Sequence, residues 1–306
     1  MENVELLIER ARIVRAIRAF FDARGFVEVE TAVRIPAPAP EEHIDCPPCR
    51  DGGYLRASPE LQMKKLLAAG MERIYQIGPC FREGERGSRH NPEFTMIEWY
   101  RKNATYLDIA ADLEALLATL GLGKPASTAG DRPSNDGACP HVSPRACPPT
   151  KGACPRRLTV REAYLKYAGW DPWTDWNQDR FDFDMATKIE PAIKALGGGV
   201  FLMNYPPQAA SLAKLSGTYA ERWEFYWDGM ELANCFTELC DAAEQRARFA
   251  AAKANRQALG ESDYPLDEDF LTALPRIGSA AGVALGIDRL VMVLTGVREI
   301  SAVRAG

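Results

Sequence analysis

Residues 81–100 read FREGERGSRHNPEFTMIEWY. The first half crowds Arg82, Glu83, Glu85, Arg86, Arg89 and His90 around two glycines, which reads as a charged loop. The second half, FTMIEWY, reads as a strand. Alternate side chains of a strand share a face, so Phe94, Met96, Glu98 and Tyr100 point one way and Thr95, Ile97 and Trp99 the other. A carboxylate among aromatic residues is unusual on a core face. A half-exposed amphipathic strand and the wall of a binding site both account for it, and other stretches must decide between them.

The chain around it has 306 residues, 46% of them hydrophobic and 26% charged, with a net charge of −5. Those values suit a soluble globular protein with a sizeable core. They argue against a protein that grips nucleic acid through overall positive charge. No stretch approaches the roughly 20 apolar residues of a membrane span. The N-terminal MENVELLIERARIVRAIRAFF is charged and amphipathic, unlike a signal peptide. A cytoplasmic location is expected, and with it eight cysteines kept as free thiols. CPPC (46–49) has zinc-like spacing, but free thiols in loops are the simpler reading.

Apolar residues recur at helical spacing over 4–21, with Gly25 as a stop. FVEVET (26–31) alternates as a strand, 60–69 reads as a helix, RIYQIGPCF as a strand and 105–120 as a Leu- and Ala-rich helix. Residues 123–157 are dense in Pro, Gly, Ser and Cys, and predict a mobile surface insertion. Globular text then resumes with a helix near 159–168, a strand at 200–205, a hairpin over 220–236, a helix at 241–258 and a strand-to-helix unit at 281–295. Adjacent hairpin strands mixed with helices predict an α+β fold, a largely antiparallel sheet flanked by helices in one domain spanning 1–306.

Two further stretches carry chemistry. In ERWEFYWDGMELANCF (221–236), Asp228-Gly229 is a two-residue turn signal. It pairs Trp227 with Met230, Tyr226 with Glu231 and Phe225 with Leu232. Phe225, Trp227, Met230 and Leu232 then share an apolar face, and Glu224, Tyr226 and Glu231 the other. Glu224 and Glu231 are diagonal neighbours, roughly 7–8 Å apart at Cα. Such a pair suits a hard cation such as Mg²⁺ held together with substrate phosphates; the simpler alternative is a solvated polar face. Asn234 breaks the alternation and suggests a bulge there. In GVALGIDRLVMVL (282–294), Arg289 falls at a helix start, where a cation is unfavourable unless an anion is present. That makes it a candidate phosphate ligand. Arginines, paired carboxylates and aromatic faces together form an inventory for a nucleoside triphosphate.

These stretches resemble a known family. FREGERGSRHNPEFTMIEWY looks like motif 2 of the class II aminoacyl-tRNA synthetases, GVALGIDRLVM like motif 3, and FFDARGFVEVET like motif 1, the dimer-forming segment. ASPELQMKKLL (57–67) and ERWEFYWDGMELANCFTEL (221–239) resemble the lysyl subgroup, and most of all its short paralogues that attach (R)-β-lysine to elongation factor P. The resemblance covers most of the chain outside 123–157.

It implies ATP and Mg²⁺ as cofactors, lysine or β-lysine as substrate, and elongation factor P as the acceptor in a homodimeric enzyme. Arg82 would hold the α-phosphate and the substrate carboxylate. Phe94 would stack on adenine with Arg289 on its other side, and Glu85, His90 and Asn91 would line the nucleotide. Glu224 and Glu231 would hold Mg²⁺. Glu60 would meet the substrate's backbone amine; Glu98, Tyr100 and Glu238, with Asn234 nearby, would meet its side-chain amine. Several carboxylates select a cation, not aspartate. Ala284 stands where lysyl-tRNA synthetases tend to have Gly and the β-lysine ligases Ala. The sequence departs from the family at Ala32, where Pro is usual, at Cys235, where Gly is common, and at Glu83 and Glu85, either of which could face the nucleotide. Motif 1 begins near residue 4, so no N-terminal anticodon-binding barrel is expected and tRNA becomes the less favoured acceptor. A minimal tRNA-charging enzyme and a catalytically silent lysine or nucleotide sensor stay open as alternatives.

Overall fold

The alternation in FTMIEWY is realised in a strand at the middle of one large sheet. The computed structural model describes residues 4–42, 44–122 and 154–305. Its principal helices are α1 (Val4–Asp22), α2 (Glu60–Ala68), α3 (Tyr106–Thr119), α4 (Ala242–Leu259) and α5 (Ile287–Thr295). Its principal strands are β1 (Val27–Glu28), β2 (Arg73–Phe81), β3 (Glu93–Lys102), β4 (Arg156–Thr159), β5 (Gly199–Tyr205), β6 (Tyr219–Trp227), β7 (Met230–Thr237) and β8 (Ala280–Gly286). They lie in the order β1-β2-β3-β8-β7-β6-β5-β4, with the short Leu215–Ser216 strand beside β6. Only the outermost pairs, β1 with β2 and β4 with β5, are parallel. The α+β, largely antiparallel expectation holds.

Register across the four central strands sets everything that follows. Glu98 of β3 pairs with Ala284 of β8, Ala284 with Asn234 of β7, and Asn234 with Glu224 of β6. Two residues along, Tyr100 pairs with Gly282, Gly282 with Phe236, and Phe236 with Arg222. Between these rows lies Trp99–Val283–Cys235–Trp223, pointing the opposite way. That apolar row is buried under α1, α3 and α5, where Phe21 stacks on Tyr75 at 4.9 Å. The other face carries a second core, built by α2, α4 and the segments around Tyr164 and Phe270.

The β6–β7 turn forms at Asp228-Gly229, with both residues at positive φ. Trp227 pairs with Met230 and Tyr226 with Glu231, as the turn signal predicts. The bulge, expected at Asn234, lies between Glu231 and Ala233 instead. Phe225 therefore pairs with Ala233 rather than Leu232. Leu232 and Ala233 both enter the core, and Asn234 returns to the face of Glu231. Strict alternation would have put those two polar residues on opposite faces.

Other boundaries differ for local reasons. Only Val27–Glu28 of FVEVET is strand, because the chain then turns away from β2 after Val29 N–H donates to Tyr75 O (2.8 Å). The expected 159–168 helix is Val160–Ala163 followed by a wider π turn, Tyr164–Ala168, ending at left-handed Gly169. The expected mobile insertion falls outside the described residues except at its end, where Arg156 and Arg157 already belong to β4. Cys139 and Cys147 likewise fall outside them; Cys46 and Cys49 are free thiols. No helix among the described residues is long and apolar enough to cross a membrane.

Asp288, in the first turn of α5, joins three elements. One carboxylate oxygen accepts from Arg10 of α1 at 2.8 Å, and the other accepts from the Thr95 backbone N–H at 2.9 Å. Arg10 also donates to Thr95 Oγ1 at 2.8 Å. Asp288 is 1% exposed and Arg10 half-buried, so removing the carboxylate leaves a half-buried guanidinium without its counter-charge. Breaking one side of a buried pair costs about 3 kcal/mol or more. Asp288→Ala is expected to lower the urea midpoint accordingly; an unchanged midpoint contradicts the clamp.

Candidate active site

The face opposite Trp99 and Trp223 holds a cavity of about 350 Å³. Its wall includes Arg82, Glu85, His90, Asn91, Phe94, Glu98, Tyr100, Glu60, Glu224, Glu231, Asn234, Glu238, Ala284 and Arg289. Every candidate site residue from the sequence is therefore in one place. Of the two candidate glutamates, Glu85 lines the cavity and Glu83 is not among its lining residues.

One end is built by the charged loop and the start of α5. The loop folds back on itself: Arg82 N–H donates to Pro92 O (2.9 Å), and Gly87 and His90 bond each other's backbone. Arg289 reaches across from α5, donating to Glu231 O at 2.8 Å and lying 2.6 Å from His90 Nε2. Burial, and then Arg289 itself, push the His90 imidazole below its usual pKa, so it accepts from the guanidinium. The Arg82 guanidinium lies over the Phe94 ring, 5.2 Å from its centroid. Arg82 also meets Glu85 at 3.4 Å, but its buried Nε–H has no acceptor among the described residues. An orphaned donor of this kind suits an anionic ligand.

The other end is a cluster of carboxylates. Glu98 is 1% exposed, accepting from Ser58 Oγ at 2.6 Å and from Tyr100 Oη at 2.8 Å. Burial and the nearby Glu60 push its pKa up to about 7, against those two hydrogen bonds. Glu238, 2% exposed, is also pushed up by burial, with Lys64 opposing and Glu60 adding to the shift. Lys64 of α2 is itself 1% exposed and bridges Glu60, at 2.5 Å, to Glu238. Burial alone would depress its ammonium, but Glu238 and Glu60 outweigh that and hold it charged.

Between the ends stand Glu224 and Glu231. Glu224 accepts from Arg222 and from Tyr226 Oη, both at 2.6 Å. Glu231 Oε2 lies 3.6 Å from Arg289. Burial and then Glu224 hold the Glu231 carboxyl well above the usual range. Two carboxylates side by side, one of them held up by the other, are oxygen donors of the kind a hard cation takes.

Sequence reasoning missed several residues here. Lys64 sits one helical turn after Glu60, and Arg222 two residues before Glu224 on the same strand face, so both were readable from periodicity. Ser58 precedes Glu60 in the ASPEL stretch. Glu41 lies in a Pro-rich loop without any periodic signal. Burial, and then Glu60, raise its carboxyl.

Comparison with known proteins adds the family. The model described as "tRNA synthetases class II (D, K and N)" matches residues 2–305. The chain belongs to this family. It is 36% identical to the elongation factor P–(R)-β-lysine ligase of Proteus mirabilis (strain HI4320), covering 99% of this chain and 95% of that protein. It is also 36% identical to the protein of the same name from Vibrio cholerae, with 99% and 95% covered. A lysine–tRNA ligase of Moorella thermoacetica is 37% identical over 96% of this chain, which spans 63% of that protein.

Within this class II synthetase, Gly282 is a test of the site's architecture. A Cβ there would lie 2.1 Å from the Tyr100 ring, which cannot yield without leaving Glu98. Gly282→Ala is expected to cost about 1–3 kcal/mol of stability through overpacking and to lower amino-acid-dependent ATP–pyrophosphate exchange at least tenfold. Wild-type exchange with an unchanged melting temperature refutes the close packing.

Proposed function

We propose that the chain activates lysine or (R)-β-lysine with ATP and transfers it to a lysine of elongation factor P. The observation that carries this is the carboxylate end of the cavity: Glu60, Glu98 and Glu238 around a buried site, suited to a diamine. The names of the relatives from Proteus mirabilis and Vibrio cholerae support the acceptor.

In this reading the amino acid's amines lie against Glu60, Glu98, Tyr100 and Glu238, with Asn234 and Ala284 shaping the floor. Its carboxylate is already ionised at neutral pH and needs no general base. Arg82 orients it beside the α-phosphate, and the unpaired Nε–H is the donor that a phosphate or carboxylate oxygen would meet. Phe94 takes the adenine, with Glu85, His90 and Asn91 around the nucleotide and Arg289 at the trailing phosphates. Glu224 and Glu231 would hold Mg²⁺, which would neutralise phosphate charge when bound. What the protein supplies is positioning and charge stabilisation of an in-line displacement. The enzyme works in the cytoplasm as a homodimer formed through its motif 1 segment.

Arg82→Ala is expected to abolish lysine-dependent ATP–pyrophosphate exchange while leaving the melting temperature within a few degrees; normal exchange in that variant removes the phosphate assignment. With labelled lysine or β-lysine and ATP, elongation factor P should take up the label. Labelled tRNA beside an unlabelled factor would favour a tRNA-charging enzyme instead.

Amine binding should also depend on pH. Glu98 titrates near 7 in the free protein, and an ammonium beside it favours the ionised form. Binding at lower pH must first remove that proton, so affinity falls as pH drops. Lysine should bind about tenfold more weakly at pH 6 than at pH 8, as measured by calorimetry. A dissociation constant that is flat across this range argues against Glu98 as the amine ligand.

A further inference from the structure

A second cavity, of about 600 Å³, adjoins the first. The two share Glu41, Ile44, Arg222, Glu224 and Glu231 in their walls. The shared Glu224 and Glu231 stand between the amine end and the phosphate end, so the two cavities meet there. That is where the activated carbonyl would stand under the proposed function, on which this inference rests.

The second cavity's wall is acidic. Glu41, Glu42, Asp182, Glu190, Glu224 and Glu231 line it, against the cations Arg222 and Arg248. Both cations are engaged: Arg222 with Glu224, and Arg248 with Ser211 O, Ala213 O and Glu244. Such a wall repels a phosphate backbone and attracts a cation. An independent feature is Gln245 of α4, which forms part of this wall. It is 0% exposed, and among the described residues neither atom of its side-chain amide has a hydrogen-bond partner. A buried amide left without partners is costly. A peptide group, with one donor and one acceptor, matches what it lacks.

We propose that this second cavity is the acceptor entrance, taking the cationic lysine side chain of the protein substrate, with an adjoining peptide group paired to Gln245. The lysine reaches the reaction centre past Glu41, which lines both cavities. Acceptor choice is then set by this wall and is separable from activation of the amino acid.

The test uses Glu42→Lys and Asp182→Lys, two positions lining only the second cavity, separately and combined in the full chain. Lysine-dependent ATP–pyrophosphate exchange should stay within twofold of wild type. The KM for elongation factor P in the transfer assay should rise at least tenfold in the double variant, and Gln245→Leu should raise it as well. Unchanged KM in the double variant, with the factor labelled normally by wild type, overturns the entrance alone. If wild type labels tRNA and not the factor, the functional reading fails and this inference falls with it. Loss of exchange together with transfer would mean that the wall serves activation, and also overturns the proposal.

Discussion

The register of four antiparallel strands is the constraint on which this molecule depends. Glu98, Ala284, Asn234 and Glu224 stand in one row because β3, β8, β7 and β6 pair without slippage there. A one-residue shift in any strand would send its site residues into the core and its tryptophan or valine into the cavity. The apolar row Trp99–Val283–Cys235–Trp223 makes that shift prohibitive, since both tryptophans are fully buried. The hydrophobic face thus fixes the polar one. The β7 bulge departs from that alternation and brings Glu231 and Asn234 onto the same side.

Burial gives the site its chemistry. Carboxylates normally stay near the surface, yet Glu98 and Glu238 are almost wholly enclosed. They are tolerated because Ser58, Tyr100 and Lys64 surround them. Lys64 is the less obvious partner. It neutralises part of the cluster internally, so the cavity's appetite for positive charge is limited to what a small diamine brings. The opposite end has, among the described residues, an unpartnered donor in Arg82 Nε–H instead, suited to a phosphate. Each end is incomplete in a different sense, and an aminoacyl-adenylate would complete both.

Much of this was legible in the sequence because it is periodic. The faces of FTMIEWY, the Asp228-Gly229 hairpin and the helix start at Arg289 each follow from spacing alone. The resemblance to the class II family then supplied roles that spacing cannot. What escaped was non-local. The partner of Asp288 is Arg10, 278 residues away, and no local pattern joins them. Glu41 enters the site from a Pro-rich loop whose path depends on contacts distant in sequence. The bulge was inferred from Asn234 but misplaced by two residues, because only packing reveals which side chains the core accepts. The second cavity is lined from α4, the 178–185 segment, residues 40–42 and 44, the 205–212 segment and the β6–β7 hairpin, so it has no linear signature.

Buried carboxylates are the feature that would make this site select a diamine. The family matched here includes members specific for aspartate, lysine and asparagine by its description, so amino-acid preference is the direct test. ATP–pyrophosphate exchange measured with purified protein and each of lysine, (R)-β-lysine, aspartate and asparagine should be supported by one or both diamines and by neither of the others. Exchange driven by aspartate or asparagine, at a rate comparable with or above that of the diamines, would contradict the account.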